Sequence, residues 1–387
     1  PQTFTGDNEF TGTLLSQNAS DSTAAFQIQN SAGADLLQAD TLNSRLIAGS
    51  TSGELQTWQT NSNALPQGLR FLSSVVANGY IYSIGGTTNN TSGIDTTYYA
   101  KLNSDGSTGA WQTASPTLPV PLGEAATVTA NGYVYIIGGT TDFTNGMSSV
   151  YYTKLNSDGS IGVWQTSANP LPANRRFATA AVVNGYVYVM GGEATSPGQT
   201  TVYYAKLNPD GSTGTWTTSA NSLPAGPRQH TGATANGYLY VMGGIGSTAI
   251  YYSLVNPDGS IGPWTTNATP LPDSRNQTST VVANGYVYVI AGSNGSTSFR
   301  SYMYAPLNRD GSVGSWVAGA NFLPDFRISH ASVAANGYVY AIGGSTGPDF
   351  LNTVYYASTP RVLIGGSLDL VGSTNGNLAD PGMTSFG

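Results

Sequence analysis

The chain has 387 residues, of which only 9% are charged, and it carries a net charge of −7 with no cysteine. Without cysteine there are no disulfides, thiolate metal sites or cysteine nucleophiles. No Lys/Arg cluster and no membrane-length apolar run occur, which argues against nucleic acid, anionic membrane surfaces and a membrane span. The chain opens at Pro1 with neither an initiator Met nor a signal peptide, and is therefore expected to be a processed form or part of a longer protein.

In chain order, residues 1–50 carry a hairpin-like β unit with Phe26, Ile28, Asn30, Gly33, Leu37, Asp40 and Leu46. Six copies of one segment follow. Asn-Gly-Tyr begins at Asn78, Asn131, Asn184, Asn236, Asn284 and Asn336. The period is close to fifty residues, the length of one propeller blade.

In the third copy, Leu171-Pro172 leads to Arg175, Arg176 and a predicted strand at Ala178–Val183. Asn184-Gly185 is a two-residue hairpin turn, since both residues tolerate positive φ. Tyr186–Met190 returns with alternating faces, and Gly191-Gly192 ends it. A polar loop leads to a third strand, Val202–Leu207. A turn at Pro209-Asp210-Gly211 then precedes a fourth strand carrying Trp216.

The markers recur. Diglycines begin at Gly85, Gly138, Gly191, Gly243 and Gly343, with Ala291-Gly292 as the one departure. Aromatic pairs fall at Tyr98-Tyr99, Tyr151-Tyr152, Tyr203-Tyr204, Tyr251-Tyr252 and Tyr355-Tyr356, with Met303-Tyr304 in the fifth copy. Tryptophans stand at Trp58, Trp111, Trp164, Trp216, Trp264 and Trp316. This ordered set resembles the kelch repeat over roughly Gly53 to Ser358. The resemblance implies an all-β, six-bladed propeller of four-stranded blades around a central channel. It implies little about activity, because kelch propellers include both binding modules and oxidases.

Trp58 precedes every Asn-Gly-Tyr, and no tryptophan follows the last copy. The segment Glu54–Thr60 is therefore predicted to supply the outer strand of the last blade and close the ring, hiding strand edges that would invite aggregation. The expected organisation is an N-terminal β extension (1–50), the propeller (51–358) and a C-terminal β extension (359–387). The first segment is similar to short β repeats in stalks of phage tail fibres and bacterial surface proteins. Residues 361–370 read as another strand. Phe26, Ile28, Leu37, Leu46, Val362, Ile364 and Leu368 are the candidate assembly residues, packing either on the propeller or on a neighbouring subunit.

Antiparallel strands sort the loops by face. The Asn-Gly and Asp-Gly turns share a uniform face, whereas the opposite face carries the Leu-Pro connections and the variable loops after the diglycines. Variable loops on a fixed scaffold read as the binding surface. Arg70, Arg175, Arg176, Arg228, Arg275 and Arg327 recur on that face before the first strand, joined by His230 and His330, the only histidines. One reading is a partial ring of guanidiniums that forks onto a carboxylate or sulfate, with Phe71, Phe177 and Phe326 stacking on a sugar or peptide. The other is that Arg and His belong to the repeat and bond backbone carbonyls between blades. Leu122-Gly123-Glu124 interrupts the arginines in the second copy.

Enzyme readings find little support. Kelch copper-radical oxidases need a cysteine cross-linked to tyrosine. The spacing from Asp105 to Trp111 differs from a sialidase Asp box, and no tyrosine is singled out as a nucleophile beside Glu124. Gly343-Gly344-Ser345-Thr346-Gly347 matches a nucleophile-elbow pattern but lies between strands. No metal site or cofactor is expected. The sequence points to an extracellular, cell-surface or virion-surface structural and adhesive protein. Its terminal β segments would link copies into a homo-oligomer, fibre, sheath or layer. The alternative is a soluble propeller that binds a glycan or peptide, and a glycan-acting enzyme ranks third.

Overall fold

The computed structural model describes residues 53–360, together with the strands β1 (Phe26–Gln29), β2 (Asp35–Asp40) and β3 (Arg45–Ala48). Residues 53–360 form six four-stranded antiparallel sheets arranged as blades around a channel. In blade 1 the inner strand is Ser73–Ala77, followed by Tyr80–Ile84, Thr97–Lys101 and the outer pair Gln112–Thr113. Blade 3 runs Thr179–Val183, Tyr186–Met190, Val202–Lys206 and Thr217–Thr218. The outer strand is thus shorter than its sequence pattern suggests and lies after Trp216 rather than around it. The second strand is the most buried in each blade, because both of its faces meet a neighbouring blade. In blade 3, Val187, Tyr188, Val189 and Met190 are all within 1% of complete burial.

The repeated Asn-Gly-Tyr has a purpose that the hairpin alone does not explain. Its tyrosine reaches into the next blade and lies on the glycine of that blade's Asp-Gly turn. Built onto Gly159, a Cβ would meet the Tyr80 ring at 2.5 Å. The same holds for Gly211 and Tyr133, Gly259 and Tyr186, and Gly311 and Tyr238, while Gly106 meets Tyr338 at 2.4 Å. Those glycines are left-handed, with φ of 84–86°. The aspartate before each glycine sets the turn. Asp210 Oδ1 accepts from the Ser212 N–H (2.9 Å) and hydroxyl (2.7 Å). These bonds hold its carboxyl below the usual carboxylate range, and Asp105, Asp158, Asp258 and Asp310 behave alike. Tryptophan ties the outer rim in three blades. Trp111, Trp216 and Trp264 donate their indole N–H to the carbonyls of Asn63, Asn169 and Asn221 in the preceding connection.

The ring closes as expected. Gln59–Thr60 pairs with the third strand of the last blade, Tyr355 opposite Thr60 and Tyr356 opposite Gln59. Gly53 then substitutes for the missing Asp-Gly glycine, with the Tyr286 ring 2.7 Å from where its Cβ would stand. The odd fifth copy is explained here. Tyr302 donates to Glu54 Oε1 (2.6 Å) and accepts from the Leu55 N–H (2.9 Å). Its ring occupies the space a Cβ on Gly319 would need. A tyrosine in place of the usual Val, Ile or Thr thus clasps the N-terminal strand to blade 5.

The strands β1–β3 form a separate antiparallel sheet, one strand more than a hairpin. Ile28 lies opposite Leu37, Phe26 opposite Ala39, Leu37 opposite Ala48 and Ala39 opposite Leu46. Phe26, Ile28, Leu37, Ala39, Leu46 and Ala48 thus stand in one register across the strands, with Asp35 in the same alternation. Val362, Ile364 and Leu368 lie outside the described residues.

The tyrosine-on-glycine contact sets a test. Gly211→Ala puts a methyl group into the Tyr133 ring at a left-handed residue and should cost about 2–4 kcal/mol. Gly185→Ala, also at positive φ but with nothing within 4 Å, should cost only about 1 kcal/mol. Equilibrium denaturation of the two variants measures the difference, and equal losses would remove the latch from the account.

Candidate functional site

At the mouth of the channel, on the variable-loop face, each blade contributes one non-glycine residue in the left-handed region just before its inner strand. They are Phe71, Glu124, Phe177, Gln229, Gln277 and Ser329, with φ between 50° and 56°. Their backbones bond around the ring. The N–H of Gln277 donates to the Gln229 carbonyl, Ser329 to Gln277, Phe71 to Ser329, Glu124 to Phe71 and Phe177 to Glu124, at 2.8–3.1 Å. Left-handed L-residues cost about 1–2 kcal/mol each, and these five hydrogen bonds, which leave the collar open between Phe177 and Gln229, hold them. The result is a rigid collar with six side chains set around one opening.

The collar has two unlike halves. Phe71 and Phe177 meet edge to face with centroids 5.6 Å apart, on either side of Glu124. Opposite them, the Ser329 hydroxyl donates to Gln277 Oε1 (2.7 Å), and Gln277 Nε2 donates to Gln229 Oε1 (3.2 Å). Beneath this polar half sit His230 and His330, 8% and 6% exposed, with no hydrogen-bond partner for either nitrogen of either ring. These side chains enclose an open cavity of about 150 Å³. The channel below it is lined mainly by valine, alanine and threonine of the inner strands.

Burial drives the electrostatics. It lowers the imidazole pKa to about 4 in His230 and about 3 in His330. The Met190 backbone lies near His230 and opposes this, without the alignment of a hydrogen bond. Arg327 adds to the lowering in His330. Glu124 is pushed up to about 8 because desolvation outweighs the attraction of Arg176 and Arg70, and Glu193 adds repulsion.

The six arginines occupy two structural positions rather than one, and none lines the cavity. Arg175, Arg275 and Arg327 stand two residues before the collar and turn into their own blades, at most 3% exposed. Arg275 donates to the carbonyls of Ala291 (2.8 Å) and Ser301 (3.2 Å), and Arg327 to those of Gly343 (2.5 Å) and Thr353 (3.0 Å). Arg175 bonds the hydroxyl of Tyr203 (3.0 Å). These guanidiniums therefore brace the diglycine loops within a blade, rather than joining blades or waiting for a ligand.

Arg70, Arg176 and Arg228 stand one residue before the collar. Arg176 pairs with Glu124 (3.2 Å) and Glu193 (3.0 Å), and Arg228 with Glu193 (3.4 Å), linking blades 2, 3 and 4. Arg70 lies over the Phe71 ring at 4.2 Å. Phe71 and Phe177 belong to the cavity, whereas Phe326 stands half-exposed on the connection outside it. The sequence reading missed Gln229, Gln277 and Ser329 as site residues. The residue type at this position is not constant among the copies, and only its place relative to the following strand marks it. Among the described residues, no cluster of His, Asp or Glu has the arrangement of a metal site.

Six four-stranded blades, diglycine loops braced by arginine and N-terminal closure define a kelch-type propeller. The family model described as the KLHDC2/KLHL20/DRC7 Kelch-repeats domain matches residues 71–292, and a Kelch motif matches residues 327–356. The chain belongs to this kelch-repeat family. No curated protein matches it. Among solved structures it is similar to that of YjhT, with a TM-score of 0.59 and 14% identity, over 75% of this chain and 94% of that one. At that identity the likeness is one of fold.

The buried groups make stability depend on pH in two opposite senses. His230 and His330 stay neutral in the folded chain, while the unfolded chain takes up those protons near pH 6.5. Their contribution is therefore full above that pH and is lost as pH falls toward 4 and 3. Glu124 keeps its proton in the fold up to about pH 8 but has an ordinary value of 4.5, so stability falls as pH rises between those values. Denaturation midpoints should peak at about pH 6–7. Glu124→Gln should flatten the alkaline limb and leave the acid limb, and an unchanged alkaline limb would refute the assignment.

Proposed function

We propose that the protein is an extracellular structural and adhesive module. Its propeller serves as a rigid platform, and its terminal β segments join copies into a fibre, sheath or layer. One observation carries this reading. The ring is complete within residues 53–360, so the β1–β3 sheet is not needed to build it, yet Phe26, Ile28, Leu37, Ala39, Leu46 and Ala48 stand in one register across that sheet, with Asp35 the polar residue in the same alternation. Apolar residues aligned across a sheet are buried against another element, and further copies of the chain would supply one. The low charge content suits such packing, because few ions would have to be desolvated when copies meet.

A second reading concerns what the platform presents, and the collar favours it. One face consists of short, uniform turns latched between blades. The other has variable loops around an open, chemically divided cavity. Recognition of a glycan or peptide therefore belongs to the loop face, in the assembly or in a free propeller.

The mass of the native particle tests the assembly reading. Light scattering on the full chain should report a multiple of the protomer, and on residues 53–360 a monomer. If both are monomers the structural role falls, and loop-face recognition stands alone.

A further inference from the structure

We propose that the channel mouth binds a single neutral sugar ring, held between the Phe71–Phe177 pair and the polar arc of Gln229, Gln277, Ser329, His230 and His330. The proposal rests on the loop face being the recognition face and names the class of ligand it takes.

Charge removes the alternatives first. An anion would need a free cation in the cavity wall, and no arginine lines it. Arg176 and Arg228 are paired with Glu124 and Glu193, and Arg175, Arg275 and Arg327 are committed inside their blades. A cation would seek the phenylalanine faces. Arg70 already lies over Phe71 at 4.2 Å and Arg176 over Phe177 at 5.2 Å, so a second positive charge would be repelled at both rings.

A peptide backbone is also poorly served. The collar's N–H and carbonyl groups largely satisfy one another around the ring, so there is no open strand edge to which an extended chain could add. Recognition is left to side chains within a cavity of about 150 Å³, room for one ring rather than a chain.

What the cavity wants is hydroxyl groups. His230 and His330 are more than nine-tenths buried and form part of its wall, and neither nitrogen of either ring has a partner. A neutral imidazole has one donor and one acceptor, and a hydroxyl can answer either. The amide nitrogen of Gln229 has no protein partner among the bonds found for the described residues, while its oxygen is fixed by Gln277. A neighbouring hydroxyl would accept from that nitrogen. Across the opening, Phe71 and Phe177 offer an apolar surface for the C–H face of a pyranose. Glu124 between them is engaged by Arg176 at 3.2 Å, so its carboxyl adds no free charge to the opening.

The full-length protein should be screened against neutral glycans, acidic glycans and a peptide library, beside two variants. Gln229→Asn with Gln277→Asn keeps residues that tolerate positive φ but withdraws the amides from the opening. Phe177→Leu removes the aromatic face. Thermal unfolding establishes that each variant is folded. The expected result is binding of a neutral glycan that persists in added salt and weakens about tenfold or more in the amide variant. Binding of acidic glycans or peptides instead, lost in either variant, overturns the ligand class but leaves recognition at the loop face intact. Binding of no class, or binding indifferent to both variants, removes the mouth as a recognition site and the loop-face reading with it.

Discussion

The propeller depends on a contact made once per blade, between the tyrosine of one hairpin and the left-handed glycine of the next. A sheet four strands wide cannot bury both faces alone, so each blade is stable only against its neighbours. The glycine matters because a Cβ there would stand about 2.5 Å from ring carbons, well inside van der Waals contact. The tyrosine keeps the spacing between blades, and the Asp-Gly turn presents the glycine at the correct height. Gly53 shows how strict this requirement is. Six residues before the closing strand, outside any Asp-Gly turn, the chain still supplies a glycine against Tyr286. Ring closure therefore involves more than two pairs of strand hydrogen bonds.

Most of this architecture could be read from the sequence because it repeats. The spacing of Asn-Gly-Tyr set the blade, and the displaced Trp58 set the closure. The purpose of the tyrosine could not be read in the same way. Tyr80 meets Gly159 across a blade boundary, and nothing within one copy links the two. The arginines show a different limit. Arg275 and Arg228 look equivalent by composition, yet one stands two residues before the collar and the other one residue before it. In extended backbone that shift of one residue turns a side chain to the opposite side. Arg275 is consequently buried among carbonyls of its own blade, while the more exposed Arg228 reaches across to the buried Glu193 of the preceding blade.

The network joining Glu124, Arg176, Glu193 and Arg228 occupies the part of the mouth where the second copy breaks the pattern. Gly123 stands where an arginine would be, and Glu124 takes the collar position. An acid there needs a counter-charge, and Arg176 and the following blade provide it. Burial still dominates, since Glu124 is held protonated well above its ordinary range. Glu193 is shared by Arg176 and Arg228, so these arginines are committed within the network. Such pairs fix the geometry of loops more than they attract ligands from a distance.

The collar separates what must stay constant from what can change. Its hydrogen bonds run through backbone atoms, so the ring places few demands on the side chains it presents. Phenylalanine, glutamate, glutamine and serine all occupy the same left-handed conformation to within a few degrees. Each blade therefore offers one side chain to the opening, at a fixed height and angle, and exchanging it leaves the latch on the opposite face untouched. A propeller built in this way can alter the chemistry of its mouth without altering its blades. That accounts for the constancy of the Asn-Gly-Tyr and Asp-Gly landmarks in this chain beside the variety of the six residues at its mouth.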